Sequence, residues 1–163
     1  MTFSMNQTRI TKSKGELAFS RLIGENLACT VNPALSPSVP IVPAQAVKLV
    51  PQTTATADAP LIVTPALPHE NILGFAIKDL RSDNHYAGSQ LDVAIDGAIM
   101  IMEASGALDA GKRVGVNSSV QVVDATTAHI AQIGILLDQA INTGDLVRVL
   151  IKTPSLNSIS YDS

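Results

Sequence analysis

The stretch from Ile130 to Ile151 places two short apolar segments, of which the first begins at Ile133, on either side of a polar turn. The first segment ends at Leu137 and contains a glycine, which is typical of a strand that another backbone packs closely. The second begins at Leu146 and consists of Leu, Val and Ile around a single arginine. Between them, Asn, Thr, Gly and Asp at 142–145 tolerate positive φ or bond their own backbone. The stretch therefore predicts a β-hairpin or a closely related strand–loop–strand unit.

The same arrangement occurs earlier in the chain. Four pairs of segments match: Leu73–Ile77 with Ile133–Leu137, Gly88 plus Leu91–Ile95 with Gly144 plus Leu146–Leu150, Ala44–Val47 with Ala110–Val114, and Leu61–Val63 with Val120–Val123. The pattern indicates a degenerate duplication of one small β module. Because a solenoid needs roughly three or more units, two copies with loops of unequal length predict one barrel or sandwich.

The amino-acid composition disfavours some kinds of binding site. At 163 residues the chain fits one domain, and its 46 % of hydrophobic residues is ample for a core. Aromatic residues make up only 3 %, which counts against a site that stacks sugars or bases. The net charge of −3 gives no general attraction to nucleic acid.

A single cysteine and the lack of long apolar runs bear on the cellular setting. Cys29 has no partner for an internal disulfide and lies in an apolar context, so we expect a small buried side chain. No apolar run reaches the roughly 18 residues that span a bilayer, and the N-terminus carries no secretory pattern. We expect a soluble protein that is made in a reducing cytoplasm.

The flanks of the predicted β body differ from it in composition. Residues 1 to about 20 are polar and predict an extended arm, with a short helix possible from Glu16 to Leu27. Eight of the nine prolines lie between Pro33 and Pro68, so we expect short edge strands there, separated by loops. The predicted organisation is an arm and proline-containing lead-in over 1–40, a β-barrel domain over 41–153, and a tail over 154–163.

Four of the eleven basic residues belong to the first 21 positions, which contain one acidic residue, Glu16. The basic residues are Arg9, Lys12, Lys14 and Arg21. One interpretation is a terminus without a role, and the other is an arm that orders on a larger acidic partner surface.

No catalytic or cofactor motif emerges. The three histidines, His69, His85 and His129, are predicted in solvated loops without metal-ligand spacing, and there is no nucleophile elbow or phosphate-binding loop. Asp92 and Asp96 share the wet face of a predicted strand, where carboxylates are most often solubilising charges. We therefore predict no enzyme activity, no cofactor and no metal.

In the order of its turns and strands, the chain resembles the small capsid decoration, or cement, proteins of tailed bacteriophages. The matching elements are the turn Gly111–Val114, the strand Ile133–Leu137 and the final strand Gly144–Ile151, and the resemblance covers about residues 41–153. It implies an all-β protein with a small β-barrel or β-tulip body that does no chemistry. It further implies a homotrimer on the outer capsid surface of the virion, bridging subunits of the major capsid protein and stabilising the capsid.

The basic arm then becomes a candidate capsid contact through Arg9, Lys12, Lys14 and Arg21, and neither nucleic acid nor a membrane is an expected partner. Two other functions are also compatible with the sequence. One is a β-barrel head–tail connector or tail component of a phage, which would share the composition. The other is a small ligand-binding β-domain, against which the few aromatic residues count.

Overall fold

The computed structural model describes residues 14–16, 26–52, 59–79, 82–126 and 130–152. Within these residues all of the regular secondary structure is β-strand. The expected all-β class with a barrel body is therefore confirmed. The predicted tail at 154–163 lies outside the described residues, as does nearly all of the predicted helix.

The first five strands close into a barrel, which we call the first module. They are β1 (Asn26–Val31), β2 (Ala46–Leu49), β3 (Ile62–Pro65), β4 (Gly74–Ala76) and β5 (Gln90–Ala94). Their order around the barrel is β1-β3-β2-β4-β5, and β1 also pairs with β5. Only β1 and β3 run parallel, whereas the other neighbours are antiparallel.

The last five strands form a second sheet, which we call the second module. They are β6 (Ile99–Glu103), β7 (Arg113–Val116), β8 (Val122–Asp124), β9 (Gly134–Leu136) and β10 (Leu146–Ile151). The sheet order is β6-β10-β9-β7-β8. A single parallel bridge between Ala104 and Val122 brings its two outer strands together. The order around the sheet is thus the same as in the first module.

Hydrogen bonds outside the strands confirm the duplication at the level of single atoms. The amide of Ala76 donates to the carbonyl of Gln45 at 2.9 Å, and the amide of Leu136 donates to the carbonyl of Lys112 at 2.9 Å. Three further pairs match in the same way: Gly88–Val31 with Gly144–Ala104, Asn32–Val63 with Ser105–Val122, and Ala66–Ala46 with Ala125–Arg113. Both halves of the chain therefore fold into the same module.

One of the four sequence matches was wrong by one residue. Phe75 pairs with Ala94 in the first module, and its counterpart Ile135 pairs with Leu150 in the second. Leu91 therefore corresponds to Val147, which is also buried, and not to the exposed Leu146. Because side chains alternate between the two faces of a strand, a shift of one residue would exchange the core and the surface.

Two equivalent glycines explain why the match at Leu73–Ile77 and Ile133–Leu137 was detectable. A Cβ atom on Gly74 would lie 2.0 Å from the carbonyl oxygen of Ala94, and one on Gly134 would lie 2.1 Å from that of Leu150. The neighbouring strand backbone thus occupies the space of a side chain in both modules. Glycine is required at these positions by close approach.

The two modules share a core on the outside of the first barrel. Val47, Ala76 and Val93 point into that barrel and are buried in it. The residues before or after them on the same strands, Ala46, Phe75 and Ala94, face outward because side chains alternate. They are nevertheless buried, in one apolar cluster with residues of the second module that include Met100, Val116, Ile133 and Ile151. The second module therefore packs on the outer face of the first.

Three sequence predictions need correction. β1 lies upstream of residue 41 and belongs to the barrel, so the barrel begins earlier than predicted. Leu27, the predicted end of the helix, is a residue of this strand. The strands of the proline-containing region are not edge strands, because β2 lies between β3 and β4, and β3 lies between β1 and β2. Pro65 is tolerated because it stands at the end of β3.

We expect Gly134→Ala to destabilise the protein by about 3 kcal/mol, because the added methyl group would overlap the carbonyl oxygen of Leu150. Gly106→Ala is the matched control, since no atom lies within 4 Å of its added Cβ. The control should change the free energy of unfolding by less than about 0.5 kcal/mol. Urea denaturation of both variants checks the prediction, and equal midpoints would contradict the close approach.

Candidate interaction surface at the junction of the two modules

Residues 14–16, which we call the clasp, connect the two modules through their backbone. The amide of Gly15 donates to the carbonyl of Ile101 in β6 at 2.8 Å, and the amide of Ile101 donates to the carbonyl of Glu16 at 2.9 Å. On the other side, the amide of Lys78, two residues after β4, donates to the carbonyl of Gly15 at 2.9 Å. One short segment of the predicted arm is thus bonded to both modules.

Gly15 is the residue that makes this geometry possible. Its φ of +84° lies in the left-handed region, which costs an L-residue with a side chain roughly 1–2 kcal/mol. Gly15 is buried, and a Cβ atom on it would lie 2.5 Å from the Cβ atom of Pro43. A residue with a side chain would therefore meet both a strained backbone and an occupied space.

The side chain of Lys14 forms an ion pair at the same junction. Its Nζ atom lies 3.9 Å from Oε2 of Glu103, and Nε2 of Gln121 donates to Oε1 of the same carboxylate at 2.7 Å. Both charged side chains are partly exposed, so solvent screens the pair and its contribution is about 0–1 kcal/mol. Lys14 is therefore directed along the second module by a weak contact.

The structure describes only one of the four predicted capsid-contact residues. Lys14 belongs to the clasp, whereas Arg9, Lys12 and Arg21 lie outside the described residues. Their capsid contact stays a prediction. The clasp attaches the arm to the body. The chain that carries Arg9 and Lys12 joins it at Lys14, at the junction of the modules.

One of the histidine predictions was wrong. His85 is 5 % exposed, its Nε2 atom lies 3.0 Å from the carbonyl oxygen of Ile77, and its backbone pairs with that of Ile41 in both directions. It is one of the residues that line a cleft of about 340 Å³. His69 is exposed as predicted, and His129 is outside the described residues. A buried histidine with backbone partners positions a loop in this fold.

Within the described part of the chain, no group of three or more His, Cys, Asp and Glu side chains could hold a metal ion. The same residues include no helix that is long and apolar enough to cross a membrane. Cys29 is buried as predicted, and its burial, with a smaller contribution from Asp92, raises the pKa of the thiol. Asp92 is exposed on β5, as expected for a solvated face.

A rigid turn in the second module presents an apolar side chain. The carboxylate of Asp145 accepts hydrogen bonds from the amides of Ile141 and Asn142, both at 2.8 Å, and these bonds lower the pKa of Asp145. Ile141 is 71 % exposed at this turn. Nearby, Arg148 donates to both carboxylate oxygens of Asp138 and lowers its pKa. These contacts order the turn through polar groups while leaving its apolar tip uncovered.

Sequence reasoning missed Gly15 and Glu103 as junction residues. The only available signal was a glycine between two charged residues, Lys14-Gly15-Glu16, in an otherwise polar arm. Glu103 ends a strongly apolar strand, and nothing in the linear sequence relates it to Lys14.

Comparison with known proteins gives a structural neighbour but no family assignment. No family model and no curated protein matches the chain. The fold is similar to that in the crystal structure of the N base of the head fiber protein gp8.5 in bacteriophage phi29, with a TM-score of 0.50 and 11 % sequence identity. The similarity covers 80 % of this chain and 97 % of that chain. At this identity the likeness establishes a shared fold.

We expect Gly15→Ala to release the clasp, since the substitution adds both backbone strain and a clash with Pro43. The amides of Lys78 and Ile101 should then exchange with deuterium faster, while the amide of Ile77, bonded to Asp92, keeps its protection. Gly88→Ala is the control, because Gly88 also has positive φ but open space around it. Unchanged protection of Lys78 and Ile101 in Gly15→Ala would refute the role of the clasp.

Proposed function

We infer that this protein is a structural component of a phage virion that binds the outer surface of the capsid. In this role it has no enzyme activity and stabilises the capsid by bridging neighbouring subunits of the major capsid protein. The observation that carries the proposal is the similarity to the base of a phage head fiber, which extends over 97 % of that chain. The resemblance of residues 41–153 to capsid decoration proteins points in the same direction.

The charge distribution supports binding through the arm. The first 21 residues carry four basic residues and one acidic residue, whereas the other 142 carry seven basic and thirteen acidic residues. The arm and the body therefore have opposite net charge. An acidic patch on a capsid would attract the arm and repel the body, which orients the protein during encounter.

The clasp gives such an arm a mechanical connection to the body. A load applied to the residues before Lys14 reaches Gly15, whose amide is bonded to the second module and whose carbonyl is bonded to the first. Tension on the arm is thus divided between the modules and is not carried by one strand. Such an attachment would suit a protein that holds neighbouring capsid subunits together.

The direct test is to mix the purified protein with expanded heads that lack decoration, pellet the heads and count bound copies. We expect saturation at a copy number commensurate with the capsid symmetry, together with greater resistance of the loaded heads to heating. No protein in the pellet would remove the proposed function while leaving the fold intact.

A second test addresses the arm. The triple variant Arg9→Gln, Lys12→Gln and Arg21→Gln should bind heads at least about tenfold more weakly at low salt, because each lost charge removes a screened attraction. Lys14 is kept, since it belongs to the clasp.

The matched control neutralises three basic residues of the body, as Arg81→Gln, Lys112→Gln and Lys152→Gln. The control has the same net charge as the arm variant and should retain most of the binding. Equal weakening of both variants would show that total charge matters and that the arm has no special part.

A further inference from the structure

The duplication allows the ends of the two modules to be compared residue by residue. At the end where β1, β3 and their counterparts begin, each strand or the residue next to it contributes one apolar side chain, and Leu27, Leu73 and Ile95 pack against the buried cluster inside the first barrel. In the first module we call this set the open end: Leu27, Leu49, Leu61, Leu73 and Ile95. The counterparts in the second module are Met100, Val116, Val120, Ile133 and Ile151, from the registers described above.

The end of the second module is covered by the first module. Met100, Val116, Ile133 and Ile151 are at most 6 % exposed and belong to the same cluster as Ala46, Phe75 and Ala94. The amide of Ala131 donates to the carbonyl of Pro68 at 2.8 Å across this junction. Within one molecule, the end of the second module thus packs on the outer face of the first module.

The open end of the first module has no such cover within the described residues. Leu49 is 46 % exposed and Leu61 is 38 % exposed, while Leu27, Leu73 and Ile95 are half-buried. Ala28 on β1 is also exposed, although its counterpart Ile101 is buried beneath the clasp. Covering the exposed parts of Leu49 and Leu61 would remove apolar surface from water and is therefore favourable.

The second module has an outer face of its own, which corresponds to the outer face of the first module. Ala46, Phe75, Ala94 and Asn26 pair side by side across the outer face of the first module. Their counterparts on the second module, which we call the outer row, are Arg113, Ile135, Leu150 and Ile99. Three of these four residues are aliphatic and half-buried on an outward face. The chain therefore presents an open end at one module and an outer row at the other.

We propose that the open end of one copy docks on the outer row of a second copy, so that copies associate head to tail. The occupant is a second copy of this chain, because the contact would repeat between molecules the packing that already joins the two modules within one molecule. The outer row and the open end are different surfaces, so the interface is heterologous. Such contacts close into a ring when the rotation between copies permits it, and otherwise they continue as a filament.

The differences between the two outer faces set the strength of this contact. The small Ala46 of the first module is replaced by the exposed Arg113 in the second, and the large Phe75 is replaced by Ile135. The arginine stem can lie along apolar surface while its guanidinium stays in water. The contact between copies is therefore more polar than the one within the chain, as expected for an association that forms between separately folded molecules.

The test uses the purified full chain without capsids, so that its result is separate from that of head binding. Light scattering after size exclusion should show a concentration-dependent oligomer for the wild type. Leu49→Asp with Leu61→Asp should weaken association at least about 30-fold, as expected for central interface residues. Leu150→Asp should weaken association to a similar extent by changing the outer row. If Leu150→Asp does not fold, Ile135→Asp changes the same surface and replaces it in the test. Ile141→Asp, at a more exposed isoleucine outside both surfaces, should associate like the wild type.

Mixing the two blocked variants distinguishes head-to-tail contact from any other mode. Each variant alone keeps only one competent surface, but together they have one intact open end and one intact outer row. An equimolar mixture should therefore form a dimer and nothing larger. A monomeric wild type at all concentrations, blocked variants that still associate, or a mixture that stays monomeric would each overturn the proposal, provided circular dichroism shows folded variants.

Discussion

The outer face of the first barrel is buried against the second module, and this contact gives the two modules one shared core. A small barrel normally presents polar side chains outward, yet here Ala46, Phe75 and Ala94 are apolar and fully or nearly fully buried on that outward side. Truncation of the side chain in Phe75→Ala would lower the free energy of unfolding by about 3–5 kcal/mol, as for other buried aromatic side chains. The second module supplies the cover, and the clasp secures the same junction with backbone hydrogen bonds. Two modules that each have a short, thin sheet thereby share one larger core.

Much of this arrangement could be predicted from local signals. Apolar alternation located β5, and the apolar run around Arg148 located β10. The glycines at 74 and 134 marked equivalent close approaches, and these signals together revealed the duplication. The beginning of the barrel was missed although its signal was present, since Leu27, Cys29 and Val31 alternate with Asn26, Ala28 and Thr30 as in a half-buried strand. The start of this segment was assigned instead to the end of a predicted helix. The closure of the barrel was also hidden, since the parallel pairing of β1 with β3 joins segments about 30 residues apart and leaves no local pattern.

The junction was beyond sequence reasoning for a different reason. Gly15 is required by a φ angle and by the position of Pro43, and both are properties of the folded molecule. Likewise, nothing in the linear pattern of β2 and β4 says that the outward residues Ala46 and Phe75 are covered. That information depends on a second copy of the module packing on them. The contact between the two modules is the one on which the proposed association between copies is based.

A cryo-electron microscopy reconstruction of heads saturated with the protein tests capsid bridging most directly. We expect two-module bodies on the outer surface, each contacting at least two capsid subunits, with density for the chain before Lys14 running from the junction of the modules toward the capsid. Bodies that contact a single subunit, or density at the portal vertex alone, would contradict capsid bridging.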